Sequence, residues 1–349
     1  MTVLLLAAGV FAGIGMLCRA HIPASGLSPA QWLSGEAGKT VSQALKLPMQ
    51  ARTDMYAAAL HYRFLGDTGP QVALGCPGWL FYRDGLHPPL GGGDAAFRQR
   101  IHLMQYWSRQ LRDAGIQLLV VVVPDKSRIE QAHTCGLSYS EAMRRRYDYW
   151  QGALSKAGVA TLDLLPVLAS SDESTYFRTD VHMNRVGAQR AAEAIAQRAL
   201  PLLGGRGTQA FEVSGLGAVQ PRMGDLVVLA GLEHAGDRWR PSLDMEQAES
   251  IVPVRGGGLL DDTPPVEVLY AGSSNGLRSQ LVERLGKALG REVWNQSRDG
   301  GQFAGALMEQ WPQRAHWPSS LKLVIWEFSE MALSLPLADD ERAALAEIK

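Results

Sequence analysis

The chain has 349 residues, 46% of them hydrophobic, and its 34 Lys and Arg nearly cancel its 35 Asp and Glu, for a formal net charge of −1. That composition excludes intrinsic disorder, and the charge balance leaves no global field to gather nucleic acid or an acidic surface. The length suffices for a core of ordinary size, and no segment repeats at a fixed period.

The first element is Thr2–Cys18, TVLLLAAGVFAGIGMLC, an uncharged run that Arg19 ends. It is apolar on every face and stands at the N-terminus, so residues 1–20 read as a signal peptide or membrane anchor, which favours export. Cys18 sits in a poor lipoprotein cleavage pattern, and no lipid anchor is expected. Residues 21–93 read as an N-terminal extension packed on the core. Within it, Ala37 to Tyr62 is a predicted helix, Gly66–Pro70 a break, Gln71–Tyr82 two short strands across a turn, and Asp84–Gly93 a loop.

Strands and helices then alternate from residue 94 to 349. Asp94 caps a helix running to Ala114, with Phe97, Ile101, Met104, Tyr106 and Leu111 on its apolar face. Ile116–Val123 is a continuous apolar run of the kind a parallel strand covered on both faces requires. Ser140–Ala157 follows as a helix with Arg144–Arg146 on a solvated face. Val159–Asp163 is the next strand, and Asn184–Leu200 an Ala-rich helix. Residues from about 204 to 265 read as an irregular insertion, with a short strand at Gly224–Leu229. The pattern resumes with a strand over Val266–Ala271, a helix over Leu277–Leu289 and a strand over Glu292–Asn295. A helix over Gln302–Trp311, a strand over Leu321–Phe328 and a terminal helix from Asp339 complete it. This alternation predicts an α/β fold, a doubly wound and mostly parallel sheet whose ligands bind at the carboxyl ends of the strands. Ser274, Asp299 and Glu327 fall there.

Two stretches carry chemistry. In Val266–Leu277 a β-branched run breaks at Gly272-Ser-Ser-Asn-Gly276 and feeds a helix, a turn whose backbone N–H groups point outward and favour negative charge. Ser274 is the expected nucleophile. In Tyr176–Asn184, Asp180 and His182 stand two apart, so the carboxylate can fix one imidazole tautomer while the other nitrogen faces a serine. Together they supply nucleophile, base and orienter. The remaining histidines, His21, His61, His87, His102, His133, His234 and His316, lack such a context. Asp-x-His is also a fair metal pair, but no third ligand is evident nearby, and neither Cys76 nor Cys135 has zinc spacing, so no metal and no cofactor are expected. Those two cysteines read equally as one disulfide of an exported protein or as two unrelated buried thiols.

These residues resemble the alginate O-acetyltransferase family of AlgJ/AlgX type, exported enzymes with an SGNH-hydrolase-like fold. The resemblance runs from about Gln71 to Leu333. It rests on Gly75-Cys-Pro-Gly-Trp-Leu-Phe81, Val123-Pro-Asp-Lys-Ser-Arg128, Arg178-Thr-Asp-Val-His-Met-Asn184, Gly272-Ser-Ser274, Asp299-Gly-Gly-Gln-Phe303 and Trp326-Glu-Phe-Ser-Glu330. It implies that residues 94–349 form an SGNH-like catalytic domain with a permuted order, Asp and His before Ser. It further implies acetyl transfer onto a secreted exopolysaccharide, alginate- or cellulose-like, in the periplasm. The partners it implies are a membrane-bound acyltransferase of the MBOAT type and a polysaccharide assembly complex, with no nucleic acid. Ser274 would carry the acetyl group, His182 act as general base and Asp180 orient it. Backbone N–H groups from Ser274 to Gly276 would hold the oxyanion, with Gly272, Asn275, Asn295, Arg298 and Gly301 as candidate oxyanion or substrate residues. Lys126, Arg178 and Arg298 are candidate contacts to an acidic sugar. The resemblance also favours a Cys76–Cys135 disulfide. The chain departs from the family at Asn275, at Met183 where Trp is usual, at Ser329 where Pro is usual and at Met331 where Arg is usual. An acetylesterase of the same fold and a degenerate polysaccharide-binding scaffold are the two competing readings.

Overall fold

The computed structural model describes residues 50–87, 94–255 and 264–348, with short stretches before residue 50. The apolar N-terminal run lies largely outside the described residues, as do residues 42–49 of the helix expected from Ala37. Among the described residues, no helix is long and apolar enough to cross a membrane.

In chain order, helix α1 (Gln50–Leu60) leads to a hairpin of β1 (Val72–Leu74) and β2 (Leu80–Tyr82). Helix α2 (Asp94–Asp113), strand β3 (Gln117–Val123), helix α3 (Glu141–Ala157), strand β4 (Ala160–Asp163) and helix α4 (Arg185–Ala199) follow. Then come strand β5 (Phe211–Arg222), helix α5 (Asp225–Leu229), strand β6 (Asp244–Pro253) and strand β7 (Val268–Ala271). Helix α6 (Leu281–Leu289), strand β8 (Val293–Asn295), helix α7 (Gly305–Gln310), strand β9 (Leu323–Ser329) and helix α8 (Asp339–Glu347) close the chain.

Five strands form one wholly parallel sheet in the order β4-β3-β9-β7-β8. The three central strands are buried on both faces, which is why β3 and β9 read as near-continuous apolar runs. Val120, Val122, Trp326 and Phe328 point to one face, where Trp107 of α2 and Trp150 of α3 cover them. Leu119, Val121, Tyr270 and Ile325 point to the other, against the alanines of α4 and the leucines of α6. Small residues on α4 let it lie close to the sheet. The last strand in sequence, β9, inserts between β3 and β7, so the loops after three non-consecutive strands meet at one edge.

Several expectations are corrected. Residues 225–229 are helical, not a strand: Ala230 N–H bonds to Leu226 O at 3.1 Å, so the backbone is satisfied within the segment. The insertion from 204 to 265 is more regular than expected: it contains a long antiparallel ribbon of β5 and β6, paired from Phe211↔Pro253 to Arg222↔Asp244 with a bulge between Leu216 and Gln220, and residues 223–243 join the two strands. Most of β5 is exposed, so no buried face imposes the apolar alternation by which a strand is recognised. Helix α6 begins at Leu281, since Ser279 and Gln280 adopt left-handed φ values of 51° and 54°. The arginine run of α3 is not wholly solvated: Arg146 is buried, paired with Glu330 and Asp125.

Candidate active site

The turn after β7 is shaped by close contact. A Cβ on Gly272 would lie 2.4 Å from the Tyr270 ring and 2.8 Å from Glu327 Oε2, so only glycine fits there. The next two serines part company. Ser273 is buried, its N–H and Oγ–H each donating to the Glu327 carboxylate at 2.8 Å. Ser274 opens a 3₁₀ turn, and its Oγ lies 2.8 Å from His182 Nε2.

The loop carrying His182 is fixed from below. Asn184 caps α4 by accepting Gly187 N–H at 3.0 Å, and its amide donates to Ser174 O and Tyr176 O. Phe177 N–H bonds to His182 O, closing the loop on itself. Asp180 Oδ1 accepts from His182 N–H at 3.0 Å and lies 2.7 Å from His182 Nδ1. A carboxylate only accepts, so the imidazole proton sits on Nδ1, and Nε2 is free to accept from Ser274. Burial pushes the Asp180 carboxyl up. The hydrogen bond and charge of His182, joined by the Arg222 guanidinium, outweigh burial and hold it well below the usual carboxylate range. Arg222 comes from the end of β5 and also lies over the Phe177 ring at 4.1 Å.

Three further groups brace the site. Glu327 is fully buried, which pushes its carboxyl up to about 7 despite the Ser273 hydrogen bonds. Glu330 accepts Asp125 N–H at 3.0 Å and pairs with both Arg128 and Arg146. The two glutamates of Trp326-Glu-Phe-Ser-Glu330 therefore hold the loops after β7 and β3. Lys126, just past β3, donates to the carbonyls of Leu80, Arg178 and Asp180 at 2.7, 2.7 and 3.0 Å. Its ammonium also faces the Trp79 and Phe81 rings, and burial lowers its pKa to about 7.

Ser274 and His182 line a cleft of about 200 Å³ together with Phe81, Tyr82, Ser127, Asp225, Asn275 and Met331, among others. The hairpin joins this wall through a disulfide between Cys76 and Cys135, Cα atoms 4.9 Å apart. Among the described residues Asp225 is the third carboxylate or imidazole group near the pair, with Oδ2 3.5 Å from His182 Nδ1. Sequence spacing gave no third ligand because α5 delivers it from 43 residues beyond His182. These three groups could hold a cation only by surrendering the Asp180–His182 hydrogen bond and the Arg222 pair.

A family model described as "SGNH hydrolase-like domain, acetyltransferase AlgX" matches residues 72–330. The chain belongs to that family. It is 30% identical over 291 residues to the probable alginate O-acetylase AlgJ of Pseudomonas syringae pv. tomato, covering 79% of this chain and 72% of that one. Identity to the AlgJ of Pseudomonas putida is 26% over 293 residues, covering 81% and 75%. In fold it is similar to the O-acetyltransferase domain of Pseudomonas putida AlgJ, with a TM-score of 0.69 at 24% identity, over 80% of this chain and all of that one. The structure of Pseudomonas aeruginosa AlgX gives 0.60 at 22% identity, over 79% and 68%. The fold is thus SGNH-hydrolase-like, mixed α/β around a central parallel sheet.

The other expected site residues separate on inspection. Asn275 lines the cleft, but its amide nitrogen donates to Ser273 Oγ at 3.2 Å, leaving Oδ1 buried and unpartnered. The Ser273 hydroxyl gives its proton to Glu327 and can only accept from Asn275, which fixes that orientation. Asn275 N–H and Gly276 N–H are spent within the turn on Ser273, whereas Ser274 N–H has no protein acceptor among the described residues. Asn295 bridges Gly276 O and Ser297 N–H behind the turn. Arg298 reaches Glu309 on the surface, Asp299 pairs with Arg278, and Gly301 N–H bonds to Arg298 O. Lys126 and Arg178 are not free for substrate: the first serves three carbonyls, the second is tied to Asp244. Arg222, Asp225 and Ser127 were not expected. Only Ser127 lay in a motif already noted, after β3.

Proposed function

We propose that this protein is an O-acetyltransferase that places acetyl groups on hydroxyls of an exported polysaccharide. The reading is carried by one observation, the continuous relay from Ser274 Oγ through His182 to Asp180, with hydrogen bonds of 2.8 and 2.7 Å. Curated relatives named alginate O-acetylases support the class of reaction.

In the first half-reaction the Ser274 hydroxyl oxygen attacks the acetyl carbonyl while its proton passes to His182 Nε2. Asp180, held ionised by Arg222, stabilises the imidazolium. The Ser274 N–H is the turn's free donor for the oxyanion, with Ser127 on the wall of the same cleft. Collapse expels the donor's leaving group, which takes the proton from His182, and leaves acetyl-Ser274. A sugar hydroxyl then gives its proton to His182, attacks the ester and departs acetylated, returning Ser274 to its starting form. No step calls for a metal or an organic cofactor. The acetyl group comes from a donor, and the exported setting makes a membrane acyltransferase of the MBOAT type its supplier within a periplasmic polysaccharide assembly complex.

The test uses the full chain with 4-nitrophenyl acetate as donor and an oligosaccharide as acceptor, with products read by mass. Wild type gives acetylated oligosaccharide, and Ser274→Ala reduces it by roughly 10⁴-fold or more. Release of acetate by wild type with no acetylated oligosaccharide, over a panel of acceptors, would replace the transferase with an esterase. Equal labelling by the variant would overturn the mechanism.

A further inference from the structure

Two carboxylates, not one, face the same imidazole nitrogen. We propose that Asp225 is a second positioning residue for His182, its charge steadying the imidazolium while Ser274 is acylated and again while the sugar hydroxyl attacks. The proposal rests on the acetyltransferase reading.

Two elements meet at His182 Nδ1. Asp180 Oδ1 lies 2.7 Å from that nitrogen, brought by the loop before α4, and Asp225 Oδ2 lies 3.5 Å from it, brought by the first turn of α5. The backbone ties the two acids together, since Asp225 N–H donates to Asp180 Oδ2 at 3.3 Å. Gly224 permits this approach: a Cβ there would lie 2.1 Å from Thr179 O, so α5 starts hard against the residue before Asp180. Leu226 N–H fastens the junction by donating to Thr179 O at 3.2 Å. A separation of 3.5 Å is longer than a good N–H···O bond, so Asp180 remains the acceptor and Asp225 contributes charge.

The surrounding charges decide when that charge is used. Arg222 is shared between Asp180 and Glu246, and Lys126 is turned onto three backbone carbonyls. Asp225 has no Lys or Arg partner among the described residues, and its side chain is 46% exposed on the cleft wall. While His182 is neutral, Asp225 is a carboxylate without a counter-ion. Once the imidazole holds the proton of Ser274 or of the sugar hydroxyl, it gains one. The ion pair thus exists only in the states that follow proton transfer, and an interaction confined to those states accelerates the step that forms them. An aspartate with a purely structural role would find its partner in the resting enzyme.

The experiment follows acetyl-Ser274 formation by the full chain with 4-nitrophenyl acetate, at low and at high salt. At low salt Asp225→Asn should lower kcat/KM roughly three- to tenfold, and the deficit should shrink at about 1 M salt, because a half-exposed charge is screened. Asp225→Glu, which keeps the charge, should recover most of the rate, and the denaturant midpoint of Asp225→Asn should match that of wild type. Asp225→Asn as fast as wild type at low salt overturns the proposal. So does a loss that Asp225→Glu shares and salt leaves unchanged, which marks a structural role. Wild type that forms no acetyl-Ser274 strikes the acetyltransferase reading itself, whereas the Asp225 outcomes strike the proposal alone.

Discussion

Glu327 is the residue with the most to reveal about how the Ser273–Ser274 turn is held. Its carboxyl, ordinarily near 4.5, is pushed up to about 7 by burial, which outweighs the opposing Ser273 hydrogen bonds. Folding thus favours the protonated form. The stability that Glu327 contributes is fully present below about pH 4.5 and is lost as pH rises through 7. Across that window wild type should lose on the order of 3 kcal/mol relative to Glu327→Gln, which cannot titrate. Denaturant unfolding of both proteins from pH 4.5 to 8 measures it, and a constant difference between them would contradict the burial argument. The neighbouring residues show what local sequence can and cannot reveal. Ser274, Asp180 and His182 were legible because each sits in a short motif whose backbone geometry sets the direction of the side chain. The orientation of Asn275, a candidate oxyanion or substrate residue, could not be read locally, because it depends on a proton given by Ser273 to Glu327, more than 50 residues away in the chain.

Lys126 joins separate elements. It ties the end of β3 to β2 and to the loop that presents Asp180, through three buried carbonyls. Lys126→Met keeps the bulk but strands those carbonyls, and should cost about 3–5 kcal/mol of stability together with much of the activity. Retention of activity with unchanged unfolding would show that the His182 loop is held by Asn184 alone. The parallel strands were readable, because strands covered on both faces must be apolar along their whole length, as β3 and β9 are. The β5–β6 ribbon was not. Its first strand, β5, is exposed along most of its length, and the end of that strand brings Arg222 to Asp180 from a distance that no motif spans. Helix α5 escaped notice for a related reason. Five apolar-rich residues fit either a strand or a helical turn, and only the surroundings decide.

For the molecule as a whole, the hairpin at residues 72–82 is a cover pinned to the sheet domain. Cys76–Cys135 closes a span of 59 residues between the two, and Trp79 stacks on His133 with ring centroids 4.0 Å apart. Replacing both cysteines by serine should lower stability by about 4 kcal/mol on loop-closure grounds. Unfolding of wild type under reducing conditions should match that variant, and a variant as stable as the oxidised protein would mean that packing alone holds the cover. The pairing of these two cysteines was not decidable from spacing, since it depends on β2 lying across the loop after β3. The central claim is that Ser274, activated by His182, receives the acetyl group. It is tested most directly by mixing the full chain with 4-nitrophenyl acetate, quenching at early times and locating the added acetyl group by peptide mass. The account predicts one acetyl group, on the peptide bearing Ser274, absent in Ser274→Ala and discharged when oligosaccharide is added. An unmodified Ser274 in a protein that still transfers acetyl groups would contradict it.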